Sequence, residues 1–129
     1  MIAIEDFTRY GNCFFTFIYI LGNIQYRSGV MFKTACSDED FKKTFPMIQN
    51  TLLWLEQNIE SINMLVENNL PPQADLTVFK EQQVVSFSLI INENHDPPEI
   101  HLAYGGDGVY LTATIIDKQL DFVGLNEYS

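Results

Sequence analysis

Basic residues are scarce in this sequence: seven lysines and arginines stand against seventeen aspartates and glutamates, for a formal net charge of −10. The deficit is uneven. Residues 1–55 hold five acids and five bases, whereas residues 56–129 hold twelve acids against Lys80 and Lys118 alone. Such a surface repels phosphate backbones and anionic lipid, which argues against nucleic-acid and membrane binding, and it attracts a cationic partner at long range. Simple solubility is the plainer explanation of the same charge. Histidine is scarcer still, with only His95 and His101. Two cysteines, Cys13 and Cys36, form neither a metal-ligand spacing nor a disulfide framework, and a reducing, cytoplasmic setting is the simplest expectation. The longest apolar run, Cys13 to Leu21, is too short to cross a bilayer, and MIAIEDFTRY has no basic region of the kind that opens a signal peptide.

What the chain does have is apolar content, 47% over 129 residues, enough for one domain spanning 1–129 with a core of its own. Its strongest periodic signal runs from Ser37 to Leu70. Phe41, Phe45, Ile48, Leu52, Leu55, Ile59, Ile62 and Val66 recur at alternating steps of four and three, which is one stripe along a helix. Ser37 and Asp40 suit its N-cap, with three acids at the positive end of the dipole. The spacing predicts a helix over about 38–68, interrupted or kinked at Pro46, which lacks an N–H and disfavours α geometry at Phe45. The regular stripe could also serve as a coiled-coil seam, but a sheet in need of cover favours burial within the domain.

The rest reads as strands. CFFTFIYIL, 13–21, is apolar at both parities and is expected to be buried on both faces. Gly22-Asn23 suits a hairpin turn, with a return strand over 24–34 that carries a bulge or second turn at Ser28-Gly29. After the helix the period becomes two. A short strand is expected at 76–79, then one at 84–92 with Val85, Phe87, Leu89 and Ile91 on one face. Further strands follow at 99–104, 109–116 and about 120–125, joined by turns at Gly105–Gly108 and Asp117–Gln119. The expected fold is α+β: one mainly antiparallel sheet of about six strands packed against the long helix.

Chemistry-bearing patterns are thin. His95, Asp96, Glu99 and His101 put four possible metal ligands in seven residues, but in no established spacing, and a proline-rich turn with solvated acids explains them as well. His101 has no nucleophile beside it. The glycines at 105–108 lack the lysine and hydroxyl of a phosphate loop and lie between strands. No cofactor is expected, and the chain does not read as an enzyme. Beside the apolar stripe, Glu56, Glu60, Asn63 and Glu67 form a polar ridge, which is either a solvated face or an acidic docking surface.

The C-terminal stretch GGDGVYLTATIIDKQLDFVGLNEYS, about a fifth of the chain, resembles the terminal hairpin of some immunity proteins. In its general character, small, acidic and α+β, the chain also resembles the immunity proteins of bacterial polymorphic and contact-dependent inhibition toxins. The resemblance implies a cytoplasmic protein that binds and neutralises a cognate toxin, often a nuclease. Carboxylates would stand in for phosphates at the toxin's cationic groove. Candidate partner-binding residues are Glu56, Glu60 and Glu67 on the helix, with Asp96, Glu99 and Asp107 at strand ends. The partner expected is a basic toxin domain, with no nucleic acid and no membrane, and the chain itself is a monomer or weak homodimer. The alternatives are an acidic, dimeric secretion chaperone and a small metal-dependent enzyme built on the His95–His101 cluster.

Overall fold

Among the described residues, Thr8 to Glu127 supply seven strands whose order across the sheet follows their order in the chain. The computed structural model describes residues 1–71, 84–93, 97–105 and 109–127, with backbone alone at 109, 110, 126 and 127. The expected strand at 76–79 and the glycine turn at 106–108 lie outside the described residues. A 3-10 turn, Ile4–Asp6, precedes β1 (Thr8–Tyr10), β2 (Phe14–Leu21) and β3 (Ile24–Phe32). Helix α1 (Asp38–Asn68) follows, and then β4 (Val84–Ile91), β5 (Glu99–Tyr104), β6 (Val109–Ile116) and β7 (Gln119–Glu127). Every neighbouring pair is antiparallel except β3–β4, which is parallel. A parallel pair needs a long crossover, and α1, about 46 Å of helix, lies in that connection. The class is α+β as expected, with seven strands among the described residues where about six were expected.

The helix begins where its cap predicts: the Ser37 hydroxyl accepts from the Asp40 N–H at 3.1 Å. It is not interrupted at Pro46, which lies exposed inside one continuous α1. An exposed proline loses one helical bond on the solvent side, and the buried stripe on the other side holds the turns together. Phe41, Ile48, Leu52, Leu55, Ile62 and Val66 of that stripe are buried, and Ile59 packs at its margin. They meet one parity of every strand from β2 to β6: Phe15 and Phe17, Val30 and Phe32, Leu89 and Ile91, Ile100 and Leu102, Ala113 and Ile115. The Phe41 ring stacks on Phe15 at 4.1 Å, and Phe7 closes the cluster against Phe17 at 4.7 Å.

Three expectations about the strands are corrected. The β2–β3 ladder runs through Thr16↔Gly29 and Phe17↔Ser28 without a bulge or second turn. Gly29 is needed for space, because a Cβ there would lie 2.6 Å from the Phe14 ring across the ladder. Ser28 is buried and donates to the Phe87 carbonyl across to β4. Second, Val84 and not Val85 is buried: a register shift between Val84 and Ser86 turns Val85 outward. The Tyr26 hydroxyl, donating to the Val84 carbonyl at 2.6 Å, holds the irregular end in place. Third, β2 is buried on one face only, since Ile18 and Ile20 are exposed. Two of the expected turns behave as read: Gly22 takes φ +66° between β2 and β3, and Asp117 and Lys118 both take positive φ in the tight β6–β7 turn.

At the edge, Arg9 of β1 binds the start of α1. Its guanidinium donates to Asp38 at 2.7 Å and to the Cys36 carbonyl at 2.8 Å, and lies 4.5 Å over the Phe15 ring. The chain entering the helix is thereby tied to the sheet. Cys36 is buried and Cys13 half-buried, both as free thiols.

Candidate functional site

The acidic ridge lies on a flank of α1, beside the stripe that faces the sheet. Glu56 and Glu60 are exposed and Glu67 is half-buried. Glu56 accepts from the Tyr19 hydroxyl of β2 at 3.2 Å, and the same hydroxyl lies 3.4 Å from the Leu52 carbonyl. Burial pushes the Tyr19 phenol up to about 12, and the Glu56 charge adds to the effect. Asn63, in the middle of the ridge, plays a structural part, because its Oδ1 accepts from the Tyr104 hydroxyl at 2.6 Å. That bond anchors the second half of α1 to β5. The one ion pair among the described residues is Arg9–Asp38, so no described cation neutralises the ridge.

The six residues proposed from sequence do not share one surface. Glu99 shares its strand face with His101 and Ala103, opposite the parity of Ile100, Leu102 and Tyr104 that packs under α1. It therefore stands on the other side of the sheet from Glu56, Glu60 and Glu67, and it accepts from the Asn92 amide at 2.7 Å. Asp96 and Asp107 lie outside the described residues, as does His95. Among the described residues no group of three or more His, Cys, Asp or Glu side chains could hold a metal ion.

Sequence reasoning missed the open face of the sheet. Cross-strand register places Phe14, Met31 and Ile90 in one row and Thr16, Gly29, Ser88, His101 and Thr114 in the next. Thr16, Gly29, Ser88 and His101 of the second row, with Ser86, Ala103 and Thr112, floor a groove of about 400 Å³ that Phe14 and Arg27 border. His101 Nε2 is buried there without a hydrogen-bond partner. Large apolar side chains stand exposed elsewhere on the same face: Tyr10 is 61% exposed, Ile18 and Met31 50% each, and Phe122 58%. The signal for this face was present in CFFTFIYIL, apolar at both parities in a chain with only one long helix to cover a sheet that has two faces. A separate cleft of about 520 Å³ runs between α1 and the β5–β7 end of the sheet, past Pro46, Trp54, Pro98 and Lys118.

No helix among the described residues is long and apolar enough to cross a membrane. Comparison with protein-family models, curated proteins and solved structures gave no match.

Proposed function

We propose that this chain is an immunity-type inhibitor, a domain that binds a basic toxin, a nuclease being the class best suited, and holds it inactive through the acidic flank of α1. The observation that supports this reading is the placement of Glu56, Glu60 and Glu67. They stand on one flank of a rigid helix, unneutralised by any described cation, in the half of the chain that carries all the net charge. On a helix their axial separations are about 6 and about 10 Å, a fixed row of negative charge against which a cationic groove can dock. The helix is itself held to the sheet through Tyr19 and Tyr104, so little ordering is needed on binding.

The test uses the protein encoded by the adjacent reading frame. Its expression is expected to arrest growth, and coexpression of this chain is expected to restore it; arrest without restoration sinks the proposal. Reversal of all three charges, Glu56→Lys with Glu60→Lys and Glu67→Lys, is expected to slow association by roughly tenfold or more at low salt and to remove most of its salt dependence. A partner bound equally well by the triple variant would move the contact elsewhere. A partner bound only while unfolded would favour the secretion-chaperone alternative.

A further inference from the structure

The open face of the sheet is close to neutral on a chain of charge −10. Register places Arg27, Glu99 and His101 there as side chains that can carry charge, and Asp6 stands beside Arg27 and Ile18 at the β1 edge. A cationic toxin gains little from such a surface, and a layer of solvent gains little from Tyr10, Ile18, Ile20, Met31 and Phe122. We infer that two copies of this chain pack together through this face, sheet against sheet.

Three features fit a second copy in particular. The first is charge: molecules of charge −10 repel one another except where the apposed surfaces are neutral, and this face is. Arg27 on β3 and Glu99 on β5 stand either side of the central strand β4. A twofold axis lying between the sheets and crossing the line from one residue to the other sets each arginine over the glutamate of the opposite copy, with the sheets crossed. The second is shape. The floor through Thr16, Gly29 and Ser88 is bordered by Phe14 and Arg27, and the exposed Ile18 and Met31 stand two positions further along β2 and β3, so each copy offers both the trough and the knobs that a self-complementary interface requires. The third is size. Four rows of outward side chains on β2, narrowing to two on β1 and three on β5, fit within roughly 30 by 20 Å, a plane of at most about 600 Å² before side-chain relief, against about 800 Å² taken from each partner in a standard interface. The acidic flank of α1 lies on the opposite side of the sheet and stays free in such a dimer, so toxin binding and self-association are separable.

The test is the mass of the full chain in solution by sedimentation and light scattering, over about 1 to 100 µM. The expected result is twice 14.8 kDa at the upper end. Ile18→Glu and Met31→Glu alter half-exposed positions, and each is expected to weaken the dimer by about a hundredfold or more while circular dichroism stays unchanged. Met64→Glu, at a 65% exposed site on α1, is expected to leave the mass unchanged. A single-copy mass throughout the range overturns the inference. A dimer that survives both sheet variants, or one lost with Met64→Glu, overturns it as well. Should either sheet variant misfold, hydrogen exchange of β2 and β3 in the unaltered chain decides the matter: protection that rises with concentration supports the dimer, and constant protection refutes it.

Discussion

Phe17 and Ile18 are neighbours in β2 and face different surroundings. Phe17 is 3% exposed among Phe7, Phe87 and the helix-covered core, whereas Ile18 is half exposed on the bare side of the same strand. The same division runs through the sheet: one face has a 31-residue helix over it, and among the described residues the other has nothing. Apolar residues on the covered face therefore report on folding, and those on the open face report on what the folded chain meets. The comparison is tested hardest at its covered end. Phe17→Ala removes a ring from a closed aromatic cluster and is expected to cost about 3–5 kcal/mol in urea unfolding. A loss under about 1 kcal/mol would mean that the core is loosely packed there and that the two faces differ less than their burial indicates.

The next effect lies where the covered face is polar. Tyr104 is buried and donates to Asn63 across the helix–sheet boundary. Tyr104→Phe is expected to cost about 1–2 kcal/mol by leaving the Asn63 oxygen short of a donor. A double-mutant cycle with Asn63→Ala isolates the pair, and coupling near zero would remove this bond as an anchor of α1. These phenols also set a pH limit. Burial raises the Tyr104 pKa above its usual value of 10.0, and burial with the Glu56 charge raises Tyr19 to about 12. Between pH 10 and about 12 the unfolded chain releases the Tyr19 proton while the folded chain keeps it, so stability is full below pH 10 and falls as pH rises through that window. Urea midpoints followed from pH 9 upward are expected to fall less steeply in Tyr19→Phe than in the unaltered chain.

The long helix was legible because its eight-residue stripe keeps one phase from Phe41 to Val66, and that pattern is local. Strands β5 and β6 were legible for the same reason at period two. The bulge at Val85 was not: Val85, Phe87, Leu89 and Ile91 alternate perfectly, and the shift that turns Val85 outward is set by pairing with β5. Strand β1 is three residues held by β2 and by the grip of Arg9 on Asp38 and Cys36, contacts 27 and 29 residues distant. The acidic flank of α1 could be read from helical spacing. The separation of Glu99 from it could not, because this depends on which face of the sheet the helix covers.

Gly29 carries the comparison to the open face. Its Cβ-free backbone lets the Phe14 ring lie across the ladder, where an added methyl would meet the ring's far edge at 2.6 Å. Gly29→Ala is therefore expected to cost about 1 kcal/mol, since the half-buried ring can swing aside at the expense of its packing. Combined with Phe14→Ala, the two losses should sum to more than the double variant shows. Strict additivity would mean that Gly29 serves the backbone and not the ring.

The smallest effect is expected at Ile18. Its side chain touches solvent in a single chain, and threonine keeps the branched Cβ that a strand favours, so Ile18→Thr should change the stability of the isolated chain by no more than about 0.5 kcal/mol. The measurement belongs at protein concentrations low enough that copies do not associate. Self-association of the folded form raises the melting temperature with concentration, because a partner that binds only the folded state stabilises it by mass action. The two residues then separate by assay as well as by size. Phe17→Ala lowers the melting temperature equally at every concentration, whereas Ile18→Thr leaves the dilute value in place and flattens its rise. An Ile18→Thr chain that melts several degrees lower even when dilute would show that the open face is part of the monomer's own core, and the division between the two faces would fail.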